Sequence, residues 1–260
     1  ALSAVVCQHL LRGDLAAASH DLRQPTHALG MFVARLGQLP LDAQTRQLVA
    51  SLEASVQSMQ DLLDGLLDVS RLDAGAVQVQ LGPVNMGELF HSLRKALQPL
   101  AESKGLRLRI RPSPYWVMTD PVLLQRMVMN LANNAIRYTE RGTVMISCRR
   151  VGDGRKVRLD VADSGIGISP AHQEDIFREF YQVGNSGRDR AQGLGLGLNI
   201  VERTAQLLGH SITLRSALGC GTRFSIHLPA AQAVEASVSM ALVDPQGLGG
   251  VEGMRVLVIE

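Results

Sequence analysis

Residues 157–169 read VRLDVADSGIGIS, an alternating run that stops abruptly in a glycine-containing turn. Val157, Leu159 and Val161 share one face of a strand, and the same period of two carries Asp163 onto that apolar face. A carboxylate placed there is costly unless a hydrogen-bond donor meets it. Gly165 and Gly167 remove side chains where the chain turns, so a flat group can come close. Taken alone, the segment is more commonly a plain Asp-Ser-Gly turn.

Outward from this strand, the texture is mixed. TVMISCRR (143–150) precedes it, and SITLRS (211–216) and TRFSIHLP (222–229) follow as further strands. VQVQL (77–81) and GLRLRI (105–110) alternate as well, while 86–101, 120–138 and 198–208 carry helical periodicity. Strands and helices without a regular strand–helix–strand repeat predict an α/β sandwich, one mixed sheet with helices on one face. The first seventy residues differ. Leu11, Leu15, Ala18, Leu22, Leu29 and Leu36, then Leu48, Leu52, Val56, Met59, Leu63 and Leu66, recur at helical spacing on either side of QLPLD (38–42), where Asp42 can cap the second helix. That predicts an antiparallel helical hairpin. Two helices have too little interior to hide both stripes, so dimerisation into a four-helix bundle follows. The fold class is therefore α+β. The expected organisation is a hairpin over 1–76, a sandwich domain over 77–230, an Ala/Ser/Gly-rich linker over 231–252, and a lone strand, GMRVLVIE, closing the chain over 253–260.

The bulk composition sets bounds. Of 260 residues, 46% are hydrophobic and 19% charged, with a formal charge of +2, so no basic face is advertised and nucleic acid is not the expected partner. Cys7, Cys148 and Cys220 show neither metal-ligand nor redox spacing, which fits a reducing, cytoplasmic compartment. No apolar run is long enough to cross a bilayer and no signal peptide opens the chain. It starts inside a helical pattern, as a fragment of something longer, and membrane contact would come through upstream segments.

The string ASHDLRQPTHAL (18–29) carries the first chemical signal. With Leu15 and Leu22 at one seam position and Ala18 at the other, His20 falls opposite the seam, where a core histidine would not sit. Asp21 stands beside it and Gln24 one turn later. Pro25, mid-helix, removes a hydrogen bond to the Asp21 carbonyl and favours a kink. An imidazole whose one nitrogen is held by a carboxylate can attack with the other. His27 is the rival acceptor, but no acid follows it.

Three more pieces suggest a phosphate-bearing ligand. In MVMNLANNAIRYT (127–139), Leu131 and Ala135 belong to the buried stripe, while Asn130, Asn134 and Arg137 form a polar strip along its edge. Amide oxygens suit Mg²⁺, Arg137 can meet a phosphate, and Tyr138 can pack on a base; a helix with a wet side would look the same. QGLGLGLNIV (192–201) sets Gly193, Gly195 and Gly197, with Leu196 between the last two, just before a helix whose free N–H groups can receive phosphate oxygens. It is not the dinucleotide fingerprint, because no strand directly precedes it. IFREFYQVGNSGRDR (176–190) leads into a polar loop that reads as a lid or as any surface loop. CGTRF (220–224) places Gly221 and Thr222 at the last turn, and an adenine amino group would suit the Asp163 carboxylate.

In order, HDLRQP, NLANNA, DSGIG, IFREFYQ, GLGLG and GCGT resemble the H, N, G1, F, G2 and G3 boxes of sensor histidine kinases. Each is weak alone; the ordered set spans roughly residues 5–229. The resemblance implies a dimerisation and phosphotransfer hairpin followed by a Bergerat-type ATPase domain, using ATP and Mg²⁺. It implies His20 as phosphoacceptor with Asp21 as its base partner, Asn134 as Mg²⁺ ligand supported by Asn130, and Asp163 as adenine reader. Arg137, Tyr138, Gly165, Gly167, Gly193, Gly195, Leu196, Gly197 and Thr222 would line the nucleotide, with Arg188 or Arg190 reaching its γ-phosphate. Implied partners are a second copy of the chain and a response-regulator receiver domain, for which the closing strand resembles the opening element. At the position four after the histidine the family usually has Thr or Asn, linked to dephosphorylation of the partner. Gln24 departs from this, though an amide there can still orient a water. A nucleotide-binding signalling scaffold without autokinase activity is the alternative.

Overall fold

The computed structural model describes residues 24–183 and 195–232. A helix, α1, runs through residues 24–37, and α2 (Ala43–Asp73) folds back along it. Asp42 caps α2 as its position predicts, accepting from the Thr45 N–H at 2.8 Å and the Thr45 hydroxyl at 2.7 Å. The hairpin buries Val33 and Val49, yet Leu29, Leu36, Leu48, Leu52 and Leu66 remain exposed. The leucine stripe is thus unburied within one chain. No described helix is long and apolar enough to cross a membrane.

The rest is β1 (Gly82–Asn85), α3 (Met86–Ser103), β2 (Arg107–Ile110), β3 (Trp116–Thr119), α4 (Pro121–Tyr138), β4 (Thr143–Val151), β5 (Lys156–Asp163), α5 (Gly197–Leu208), β6 (Ser211–Ala217) and β7 (Gly221–Ala231). The strands form one sheet in the order β1-β3-β7-β5-β4-β2, with β6 also paired to β7. It is mixed: β2 runs parallel to β4 and the other pairs are antiparallel. Helices α3, α4 and α5 bury Leu93, Leu97, Leu124, Val128, Leu131 and Val201 against Val157, Leu159 and Ile226 of the sheet. This is the sandwich the patterning predicts. Helix starts are fixed locally: Asn85 caps α3, and Asp120 caps α4 with Pro121 in the first turn, where its missing N–H costs nothing.

One local expectation is corrected, and one strand is added. VQVQL forms no strand; the first ladder starts at Gly82, opposite Thr119. Val77 and Val79 pack on the core from an extended segment without a strand partner, and the Gln80 N–H donates to Asp120 Oδ2 at 2.8 Å. Strand β3, a short run between Pro114 and Pro121, carried too few alternating residues to be expected from the sequence.

Candidate functional site

Strand β5 ends at Asp163, whose carboxylate lies on the helix-covered face as the alternation requires. Its Oδ1 accepts two backbone N–H groups, from Gly165 at 2.8 Å and from Thr222 at 3.2 Å. Burial pushes its pKa above the usual aspartate value, and these two hydrogen bonds pull the other way. Oδ2 has no partner among the hydrogen bonds of the described residues and is the atom left for a ligand. The carboxylate looks into an apolar cavity lined by Leu131, Ala135, Val161, Ile168 and Phe224, with Thr222 beside it.

Gly167 lines this cavity, and both glycines of the turn also serve close backbone packing. A Cβ on Gly165 would lie 2.3 Å from the Tyr138 carbonyl oxygen, and one on Gly167, at φ +71°, 1.9 Å from that of Ala217. The turn is pressed between the end of α4 and the β6–β7 connection, so backbone approach is what excludes side chains there.

A second, polar cavity adjoins the first, and Asn134, Tyr138, Ile176, Tyr181 and Leu198 line both. Along its floor α4 presents Asn130, Asn133, Asn134 and Arg137. Helix α5 begins at Gly197 on its wall, with its first-turn N–H groups free of helical partners. A Cβ on Gly197 would sit 4.0 Å from both Asn130 and Asn134, so the helix start and the asparagines are neighbours. At Gly195, φ +72°, a Cβ would lie 2.8 Å from the backbone of Phe180 and Tyr181, which brings the two ends of the 182–194 segment together. His20, Asp21, Arg188, Arg190 and Gly193 lie outside the described residues, as do 233–260. Gln24 and His27 are exposed on α1 and line a groove of the hairpin that shares Asp64 with the polar cavity.

Residues 12–75 match the His Kinase A (phospho-acceptor) domain, and residues 119–232 match the family described as histidine kinase-, DNA gyrase B- and HSP90-like ATPase. The autoinducer 2 sensor kinase/phosphatase LuxQ of Vibrio cholerae is 31% identical over 254 residues, 95% of this chain and 30% of that protein. The aerobic respiration control sensor protein ArcB of Escherichia coli is 30% identical over 81% of this chain and 28% of that protein. Among solved structures, full-length ShkA in complex with AMPPNP superimposes with a TM-score of 0.68 at 32% identity, over 85% of this chain and 46% of that one. The chain belongs to the sensor histidine kinases. It spans less than half the length of the curated relatives named here.

In this histidine kinase the polar cavity is also walled by the hairpin, through Asp64, Gly65 and Asp68 of α2. Asp68 is buried and ion-paired with Arg126 of α4. Leu196 packs with Val69, Leu72 and Ile200, and Gly65 leaves just enough room for it, a Cβ there lying 3.0 Å from Leu196 Cδ1. Arg203 of α5 bridges Asp73 at the end of α2 and Glu179. Leu196, expected from the sequence to line the nucleotide, lines the polar cavity and is also an apolar anchor between α5 and α2.

Several contributors were not legible beforehand. Tyr181 lines both cavities with its hydroxyl 2.7 Å from His172 Nδ1, and Asn199 is buried, its amide donating to the Phe177 carbonyl at 2.9 Å. Asn199, a polar residue on the apolar face of a helix, was the only one of these to leave a signal in the pattern. Among the described residues no cluster of three or more His, Cys, Asp or Glu side chains could hold a metal ion. The amides of Asn130 and Asn134 fit an ion that arrives already ligated by phosphates and water.

Proposed function

We propose that this chain is an ATP-dependent autokinase that phosphorylates His20 for relay to a receiver-domain aspartate. One observation carries the reading: the apolar cavity beneath Asp163 shares five lining residues with an amide-lined cavity at the start of α5, walled by the phosphoacceptor hairpin. Adenine lies in the first, with its amino group donating to Asp163 Oδ2, and the phosphates lie in the second. N–H groups at the start of α5 meet the phosphate oxygens, and Arg137 stands at the same cavity. Asn134, with Asn130 in support, would hold Mg²⁺, which would supply neutralisation of the phosphate charge. One nitrogen of His20 attacks the γ-phosphorus, the bond to the β–γ bridging oxygen breaks, and ADP leaves. Asp21 accepts a hydrogen bond from the other ring nitrogen and offsets the charge that develops. Positioning and charge neutralisation supply the catalysis.

The exposed leucines of α1 and α2 support dimerisation through a four-helix bundle. A domain division near residue 76, cytoplasmic placement and a receiver beyond residue 252 belong to the same proposal. Incubating the chain with labelled ATP, with and without Mg²⁺, tests it: the autokinase becomes labelled only with the metal, whereas a scaffold binds ATP and stays unlabelled.

A further inference from the structure

A net charge of +2 conceals a strongly basic face. Among the described residues, helices cover one side of the sheet. On the other side, strand alternation and register bring arginines from five strands into one array. Val157, Leu159 and Val161 of β5 point into the core, so Arg158 and Asp160 point away from it. Arg223 of β7 pairs in register with Arg215 of β6, and Arg149 of β4 with Arg158. Arg107 and Arg109 of β2 pair with Thr143 and Met145 of β4, and Arg111 follows on the same parity. Arg107, Arg109, Arg111, Arg149, Arg215 and Arg223 are all exposed, and among the described residues none forms an ion pair. The acid within this array, Asp160, is buried and spent on Arg158 and the Ser225 hydroxyl. Five strands at about 4.8 Å spacing spread these six cations over roughly 19 Å of flat surface.

We infer that this open sheet face adheres to an anionic lipid surface. Guanidinium groups suit phosphate oxygens, and a headgroup plane requires neither a groove nor an apolar core from the protein. A stable protein interface needs a desolvated core with apolar anchors, whereas the centre of this face is Asp160, Ser225 and Ser147. His227 is the one aromatic ring at these outward strand positions, with no Phe, Tyr or Trp to stack single-stranded bases, and among the described residues no helix projects here to enter a duplex groove. Such adhesion is reversible and salt-sensitive, orienting the ATPase domain rather than anchoring it. The face lies across the sheet from the nucleotide cavities and is independent of the proposed chemistry.

The test is sedimentation of the full chain with large vesicles of phosphatidylcholine alone or with 30% phosphatidylglycerol. The chain should sediment with the anionic vesicles at about 0.1 M salt, release at about 0.5 M, and ignore the neutral ones. Arg109→Gln/Arg215→Gln/Arg223→Gln should lower partitioning about 100-fold while retaining ATP binding as the check on folding. Arg35→Gln/Arg46→Gln/Lys95→Gln, an equal charge change off the face, should partition nearly as the parent does. Vesicle binding unchanged in the first triple variant, or absent from the parent chain, overturns the inference. So does triple-sensitive binding to duplex DNA or polyglutamate without vesicle binding, which would give the face a different occupant.

Discussion

Replacing Asp163 by Asn separates ligand recognition from folding, because the structure assigns different work to the two carboxylate oxygens. Oδ1 is held by the Gly165 and Thr222 N–H groups at 2.8 and 3.2 Å, so in the variant the amide oxygen must stay there. The NH₂ group then occupies the Oδ2 position and points at the adenine amine, donor against donor. A hydrogen bond to a charged group contributes about 1.5–3 kcal/mol, so ATP affinity should fall roughly 10- to 100-fold. Folding should scarcely change. Burial already raises the Asp163 pKa, and the neutral amide removes that desolvation cost while keeping both backbone hydrogen bonds. The same shift means that ATP binding by the parent chain weakens as pH falls through the raised pKa, and that this dependence disappears in the variant. Calorimetry with ATP and Mg²⁺, alongside a thermal melt, reads both quantities. Affinity within about threefold of the parent, with the melt unchanged, would refute this placement of the base.

Gly167→Ala should cost several kcal/mol, since the new Cβ meets the Ala217 carbonyl oxygen at 1.9 Å from a residue at φ +71°; a melting shift below about 2 °C would contradict the packing described. His210 is buried, with Nε2 2.8 Å from Thr119 Oγ1 and Nδ1 unpartnered, and burial lowers its pKa below 6.5. Its neutral form is the one the fold accepts, so its contribution to stability is complete above about pH 6.5 and declines as pH falls below that. Urea midpoints at pH 7.5 and 5.5 should differ more in the parent than in His210→Gln. Arg126→Ala leaves the Asp68 carboxylate buried and unpaired, and because Arg126 is 40% exposed the expected loss is only about 1–2 kcal/mol. Asp68→Ala/Arg126→Ala should recover part of it in a double-mutant cycle of thermal stability, and simple additivity would argue against the coupling.

Regular periodicity made most of the fold legible. The strand 156–163 and the helix 121–138 stand where alternation and capping put them, because one buried face dictates both patterns. Short elements were not legible: β3 has four residues, too few for a period to register, and VQVQL alternates without a neighbouring strand to complete a ladder. At the site, Asp163, Thr222 and the asparagines of α4 were readable because each sets a polar group against an apolar pattern. The apolar packing of Leu196 was not legible because its partners, Val69 and Leu72, lie more than 120 residues earlier in the chain. The basic face was invisible for a related reason. Its arginines alternate with core residues along separate strands, and only sheet assembly places them side by side, so the net charge averages them away.

The central claim rests on one measurement: acid-labile, alkali-stable phosphate on the chain after incubation with labelled ATP and Mg²⁺, compared among the parent, His20→Gln and His27→Gln. Label is expected on the parent and on His27→Gln. His20→Gln should carry none while binding ATP as the parent does. Label persisting in His20→Gln, or an unlabelled parent that nevertheless binds ATP, would contradict it.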